Sequence, residues 1–402
     1  MTRLRYTEKQ SDAYWLIHDS GATNILLYGG ARSGKSVILA SMIIKWSLDY
    51  SGLRSLIARL RFSHAKTTIW HQTIRDIMKS VPMTQWKENK ADHYIEFSNG
   101  SEIWLGGFDE RERIEKILGS EFNVVYLNEV SQLDYTVVEM TLPRLAKKTE
   151  GFMNIALFDC NPPSPLHWSH RVFIEKINPY TLKPIERPEL YASMKMNPID
   201  NVSNLPDHYI ENNLETLADR ARRRFLDGEF VKAEGTIYEE FDESYVLKKE
   251  ELPEMERYSV GVDFGLNCAA VLIGWSGDNI YVLGDYGNFN ITANTLNDAI
   301  RERWQDKTYI AWCDPSGGER IQEITFGDKA NNSVEPGIDA INDKIHNNQF
   351  YIVEGCNGVL SEIWDYRRDD KERIIKLNDH YMDAMRYGIF SEIAEPVQIF
   401  IA

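Results

Sequence analysis

Cysteine is scarce in this chain. The four in 402 residues, Cys160, Cys268, Cys313 and Cys356, are scattered and include no C-x-x-C pair. That pattern excludes a disulfide frame or a zinc site and points to reduced thiols. No stretch has the length and purity of a membrane span, and Met1-Thr2-Arg3-Leu4-Arg5-Tyr6 lacks the apolar core of a signal peptide. A cytoplasmic protein with no membrane partner is therefore expected. There is no internal repeat and no low-complexity tract. Positive charge is in deficit: 45 Lys and Arg stand against 61 Asp and Glu, for a net charge of −16. Such a surface argues against nonspecific coating of nucleic acid, but not against a local basic track. What remains is ordinary for a globular protein, 43% hydrophobic and 26% charged, and long enough for two domains with separate cores.

The most informative segment is Gly29-Gly30-Ala31-Arg32-Ser33-Gly34-Lys35-Ser36. It follows the apolar run Asn24–Tyr28 and precedes Val37-Ile38-Leu39-Ala40, so it reads as strand, glycine-rich loop and helix. The glycines let backbone N–H groups turn toward phosphate oxygens at a helix N-terminus. Lys35 is placed to reach the outer phosphates and Ser36 to complete a Mg²⁺ shell, which makes ATP and Mg²⁺ the expected cofactors. Hydrolysis also needs an acid that orients water. The apolar run Val124–Leu127 ends in Asn128-Glu129, and Glu129 sits where that carboxylate belongs. Asn128 stands where an Asp would usually hold Mg²⁺, and its amide carries no charge. A third apolar run ends in Asp159-Cys160-Asn161-Pro162-Pro163, either a plain turn or a place where Asn161 senses the γ-phosphate. Near the N-terminus, Gln10 either contacts adenine or belongs to a polar helix start. Arg111, Arg113 and Lys116 are surface charges or, for one of them, a finger into a neighbouring subunit.

Coarse organisation suggests a domain over 1–232, a linker over 233–256 and a second domain over 257–402. Strand-like and helix-like segments alternate in the first part, as in a mostly parallel sheet. A Pro- and Asn-rich stretch from Asn161 to Pro206 reads as irregular, and a helix is expected from about His208 to Leu226. In the last part, Ser259–Phe264, Ala269–Trp275 and Ile280–Leu283 are close enough to pair as a meander, with Gly277-Asp278-Asn279 as a turn. A helix, a strand over Tyr309–Cys313, another helix and strand, and a terminal helix follow. Asp263 falls within an apolar strand, where an unpaired carboxylate is costly and so calls for a metal or basic partner. Asp314 ends a later strand, and His380 and Asp383 share a face of the terminal helix. That order resembles a ribonuclease-H-like fold, in which such acids converge to hold two divalent ions, Mg²⁺ or Mn²⁺. Asp285 reads as a surface acid or a further member of the cluster.

A phosphate-loop ATPase followed by such a nuclease resembles the large subunit of the terminase of tailed bacteriophages. The residues that carry it are Gly29–Ser36, Leu127-Asn128-Glu129, Cys160–Pro163, Arg222–Phe230, Gly261–Gly265 and Asp379–Tyr387. The resemblance implies an α/β fold: an N-terminal P-loop ATPase with a mostly parallel sheet, then a ribonuclease-H-like nuclease with a mixed sheet. It implies ATP-driven movement of double-stranded DNA into a procapsid and metal-dependent cutting of concatemers. By it, Gly29, Arg32, Ser33, Gly34, Lys35, Ser36, Gln10 and Asn161 bind nucleotide, with Arg32 sensing phosphate or contacting Glu129. Asp263, Asp314 and Asp383 are metal ligands assisted by His380. The implied partners are double-stranded DNA, a small terminase subunit, the portal protein and further copies in a ring, all in the host cytoplasm. Arg59–Lys66 and Arg220–Arg224 are the basic stretches expected to touch DNA. The rival expectations are a repair or recombination ATPase-nuclease and a noncatalytic assembly protein switched by nucleotide.

Overall fold

The computed structural model describes residues 5–165, 167–179, 183–231, 235–265, 267–368, 373–375 and 379–394. The described chain divides into two compact units, one over residues 5–231 and one over 235–394. The first four residues of the N-terminal segment and the expected domain boundary at 232/233 lie outside the described residues. No helix among the described residues is long and apolar enough to cross a membrane.

The first unit is built on eight strands: β1 (Asn24–Tyr28), β2 (Arg54–Arg59), β3 (Trp86–Asn89), β4 (Tyr94–Phe97), β5 (Glu102–Gly107), β6 (Val124–Leu127), β7 (Ile155–Cys160) and β8 (Tyr191–Lys195). They lie in the order β3-β4-β5-β2-β6-β7-β1-β8, parallel from β5 to β8. The central strands β6 and β7 are buried along their whole length. This is the continuous apolar character a parallel sheet needs when both faces are covered. A hairpin around Gly100 joins β4 to β5, with Gly100 at φ +80°. Helices α1 (Glu8–Asp19) and α2 (Lys35–Asp49) pack with this sheet, and α2 buries Ile38, Leu39, Met42, Ile43 and Ile44.

Two expectations for this unit are corrected. The stretch from Asn161 to Pro206 is not all irregular, because β8 pairs in register with β1. The helix expected over 208–226 breaks into Tyr209–Asn213 and Asp219–Phe225, with Ala218 extended at ψ 153°. That break frees the second piece to turn toward the glycine-rich loop.

The second unit holds β9 (Val246–Leu247), β10 (Arg257–Asp263), β11 (Asn267–Ser276), β12 (Asn279–Phe289), β13 (Tyr309–Cys313), β14 (Gly327–Lys329) and β15 (Phe350–Val353). The order is β14-β13-β10-β11-β12-β15-β9. The β10-β11-β12 meander is antiparallel and the flanking pairs are parallel, which gives a mixed sheet. Helix Ala293–Trp304 covers one face through Leu296 and Ile300, together with Val260 and Val262. The terminal helix His380–Ala394 covers the other. There Gly261 and Gly388 allow backbone-to-backbone approach: a Cβ on Gly261 would lie 1.7 Å from the Ala384 carbonyl oxygen. Residues 235–256, expected as a linker, are packed into this unit. Tyr238 and Phe241 are buried, the Ile237 amide donates to the Tyr366 carbonyl, and β9 pairs with β15. Tyr238, Phe241 and Tyr245 supply the burial in that acid-rich stretch.

Candidate functional site

In the first unit the glycine-rich loop joins β1 to α2, and each special residue has a steric reason. Gly29 (φ +134°) and Gly34 (φ +88°) adopt backbone that side chains resist, and a Cβ on Gly29 would strike the Met196 carbonyl. Arg32 is left-handed (φ +58°), with its side chain exposed at the edge of a cleft of about 610 Å³. Ser33, Gly34, Lys35, Ser36, Asn128, Glu129, Asn161 and Gln10 line the same cleft. Lys35 is buried; its Nζ donates to the carbonyls of Gly29 (3.0 Å) and Gly30 (2.7 Å), to Ser33 Oγ (3.0 Å) and to Asn161 Oδ1 (3.4 Å). Burial lowers its pKa, while Asp159 and Glu129 oppose that shift. Gln10 is committed within the protein: its Oε1 accepts the Thr7 amide and its Nε2 donates to the Gly34 carbonyl at 3.2 Å. It therefore braces the loop as part of the polar helix start, one of the two expectations for it, and it also lines the cleft.

Glu129 follows β6 in a left-handed conformation, φ 54° and ψ 56°, a strained state for a non-glycine residue and one common at functional sites. Burial raises its carboxyl pKa and Asp159 raises it further, against the pull of Lys35, Arg59 and Arg224. Arg59 also lines the cleft. Arg59 and Arg224, both from stretches expected to grip DNA, thus lie close enough to favour the ionised form of Glu129. Arg111, Arg113 and Lys116 each face an acid, Glu115, Asp109 with Glu110, and Asp92 respectively.

Sequence reasoning missed three residues here. Asp159, 1% exposed, lies on β7 between the loop-bearing β1 and the Glu129-bearing β6, and it bonds Ser36, Tyr126, Asn128 and the Glu129 amide. Asn197 Oδ1 accepts the Gly30 amide (3.2 Å) and Asn201 Nδ2 donates to the Arg32 carbonyl (2.7 Å), so a distant segment clamps the loop. The Ala31 amide donates to the Phe225 carbonyl at 2.8 Å, which brings helix Asp219–Phe225 onto the loop as well. The run of Asn residues after Met196 was the available signal.

In the second unit, β10 and β13 are parallel neighbours, and the Asp314 amide donates to the Val262 carbonyl. Gly261 and Asp263 share the strand face opposite Val260 and Val262, under the terminal helix. Glu362 fixes the start of that helix by accepting the Tyr381 and Met382 amides. Asp263, Asp314, Asp383 and His380 are brought together in this way. His380 Nδ1 is 3.0 Å from Asp263 Oδ2, Arg386 donates to Asp383 at 2.7 Å, and Ser316 donates to Asp314. Burial raises the Asp263 pKa, His380 lowers it, and Asp383 and Asp314 raise it. The Tyr387 phenol is pushed up by burial and then by all three carboxylates, which share one neighbourhood. Among the described residues, however, no group of three or more His, Cys, Asp or Glu stands ready to hold a metal. Each of the three carboxylates has a protein partner instead. Asp285 accepts the Val359 amide at 2.9 Å.

Residues 22–239, more than half of the chain, match the family model described as phage terminase large subunit. The terminase large subunit of Salmonella phage P22 is 25% identical over 209 residues, 45% of this chain and 42% of that protein. That of Enterobacteria phage LP7 is 24% identical over 216 residues, 47% of this chain and 45% of that protein. The match therefore spans just under half the length of these relatives. Among solved structures, a large terminase from a thermophilic bacteriophage has a TM-score of 0.50 at 21% identity, covering 97% of this chain and 99% of that one.

Proposed function

Because this chain belongs to the phage terminase large subunit family, we propose that it is an ATP-driven motor that moves double-stranded viral DNA into a procapsid and cuts it. The observation that carries the reading is one cleft lined by Lys35, Ser36, Glu129 and Asn161 at the ends of β1, β6 and β7. Loop amides at the start of α2 suit phosphate oxygens, and Lys35, once it exchanges its bonds to the Gly29 and Gly30 carbonyls for phosphate oxygens, suits the outer phosphates. The hard oxygens of Ser36 and Asn128 at the cleft wall fit Mg²⁺, which when bound would neutralise phosphate charge. Glu129, held in its strained conformation at the cleft wall, is the group that takes a proton from water. Asn161, beside Lys35, is suited to sense the γ-phosphate.

The second unit is the nuclease in this reading. Asp263, Asp314 and Asp383 would hold divalent cations through hard oxygen ligands, after Ser316 and Arg386 yield their bonds. His380 orients Asp263. That arrangement suits an enzyme whose cutting is restrained during packaging. A small terminase subunit, the portal protein and further copies of the chain are the partners, in the host cytoplasm.

DNA-stimulated ATP turnover tests the motor half. Glu129→Ala should lower kcat by about 10²–10⁴-fold, the usual worth of a positioned general base. Unchanged turnover would favour a nucleotide-switched assembly protein. Mn²⁺-dependent plasmid nicking should vanish in Asp263→Ala; survival of nicking would mean the acid cluster is misassigned.

A further inference from the structure

Position 128 carries an amide where this class of site usually has a carboxylate, and the neighbouring strand offers an explanation. We propose that Asp159 supplies the missing negative charge and is the positioning residue for the Mg²⁺ face of the site. The inference rests on the nucleotide-binding reading above. Both carboxylate oxygens of Asp159 are fully used. Oδ2 accepts Ser36 Oγ at 2.5 Å and Tyr126 OH at 2.8 Å; Oδ1 accepts Asn128 Nδ2 at 2.8 Å and the Glu129 amide at 2.9 Å.

Each bond has a consequence in the cleft. A Ser36 hydroxyl that gives its proton to Asp159 turns its lone pairs away from that carboxylate, ready to meet a cation. A carboxylate only accepts, so the Asn128 side chain must direct its nitrogen to Asp159, which leaves its amide oxygen for another donor or a cation shell. The bond to the Glu129 amide fixes the left-handed backbone that places the Glu129 side chain at the cleft. One buried charge thereby orients three cleft residues. Saturated by four donors, Asp159 itself acts through them, without contact to nucleotide.

The sheet register makes the idea testable. Strands β6 and β7 pair in parallel with Leu127 opposite Phe158, so Asn128 and Asp159 are the next facing positions. A carboxylate moved from 159 to 128 stays on the same face and at the same level of the sheet, one strand over. ATPγS affinity is measured by calorimetry in excess Mg²⁺ and in excess EDTA, for the whole chain. Asp159→Asn should keep its EDTA affinity and lose about 10-fold or more of the Mg²⁺-dependent gain, as outer-shell changes do elsewhere. The double variant Asn128→Asp with Asp159→Asn should recover most of that gain. Should Asp159→Asn not fold, the double variant decides alone. The inference is overturned if Asp159→Asn retains the full Mg²⁺ gain, or if a double variant with wild-type EDTA affinity has lost it. Lys35→Ala separates the two levels: if it binds ATPγS as wild type does, the nucleotide-site reading itself is wrong. If it abolishes binding while Asp159→Asn keeps the Mg²⁺ gain, only the role of Asp159 falls.

Discussion

Replacing Gly261 with Ala should separate the terminal helix from β10 and remove nuclease activity at the source. The added Cβ would lie 1.7 Å from the Ala384 carbonyl oxygen and 2.7 Å from the Gly388 amide nitrogen. Against a normal carbon–oxygen approach of about 3.3 Å, the helix must retreat by about 1.6 Å. Both obstructing atoms are backbone, so no rotamer change relieves the clash. Overpacking of this kind costs about 3 kcal/mol, the upper part of its usual range. For a unit of this size each kcal/mol lowers Tm by about 2–4 °C, so a fall of about 6–12 °C is expected by calorimetry. The same retreat carries Asp383 away from Asp263, and a 1 Å misplacement is worth about 100-fold in rate. Plasmid nicking should drop at least that far, while ATPγS affinity, a property of the other unit, stays at the wild-type value. A variant that melts within about 2 °C of wild type and nicks normally would refute the packing argument.

Two further outcomes follow from the charges at the two sites. The Glu129 carboxyl pKa is raised, and the general-base role proposed for it needs the ionised form, so ATP turnover should fall on the acid side at a higher pH than the ordinary glutamate value of about 4.3. Arg224→Gln removes one downward pull and should move that limb of the kcat profile higher still; a move to lower pH would count against it. In the second unit, His380 holds the Asp263 pKa down against burial and two neighbouring carboxylates. His380→Ala should therefore shift the acid limb of the nicking profile to higher pH, and an unmoved limb would mean that His380 does not act on Asp263.

Much of the architecture is legible because its signals are local. The β10-β11-β12 meander follows from three apolar runs separated by short turns, and the glycine-rich loop from eight consecutive residues. The stretch 235–256 misleads because its acids mark an exposed surface while Tyr238, Phe241 and Tyr245 are buried. Composition averages over such a segment and hides its buried aromatics. The Asn-rich stretch misleads for a related reason. Asn197 and Asn201 bond backbone atoms of a loop more than 160 residues earlier, and no local spacing announces a partner so far away.

The amino-acid sequence by itself determined the loop that suits phosphate, the acid after β6, and the strand order that carries Asp263, Asp314 and Asp383. It did so because turn chemistry and apolar periodicity act over a few residues. Only the tertiary structure decided that Asp159 faces Asn128, that Gln10 braces Gly34, and that His380 meets Asp263. The physical reason is register. Parallel neighbours are joined through long crossovers, so which side chains meet across them is set by packing of the whole sheet.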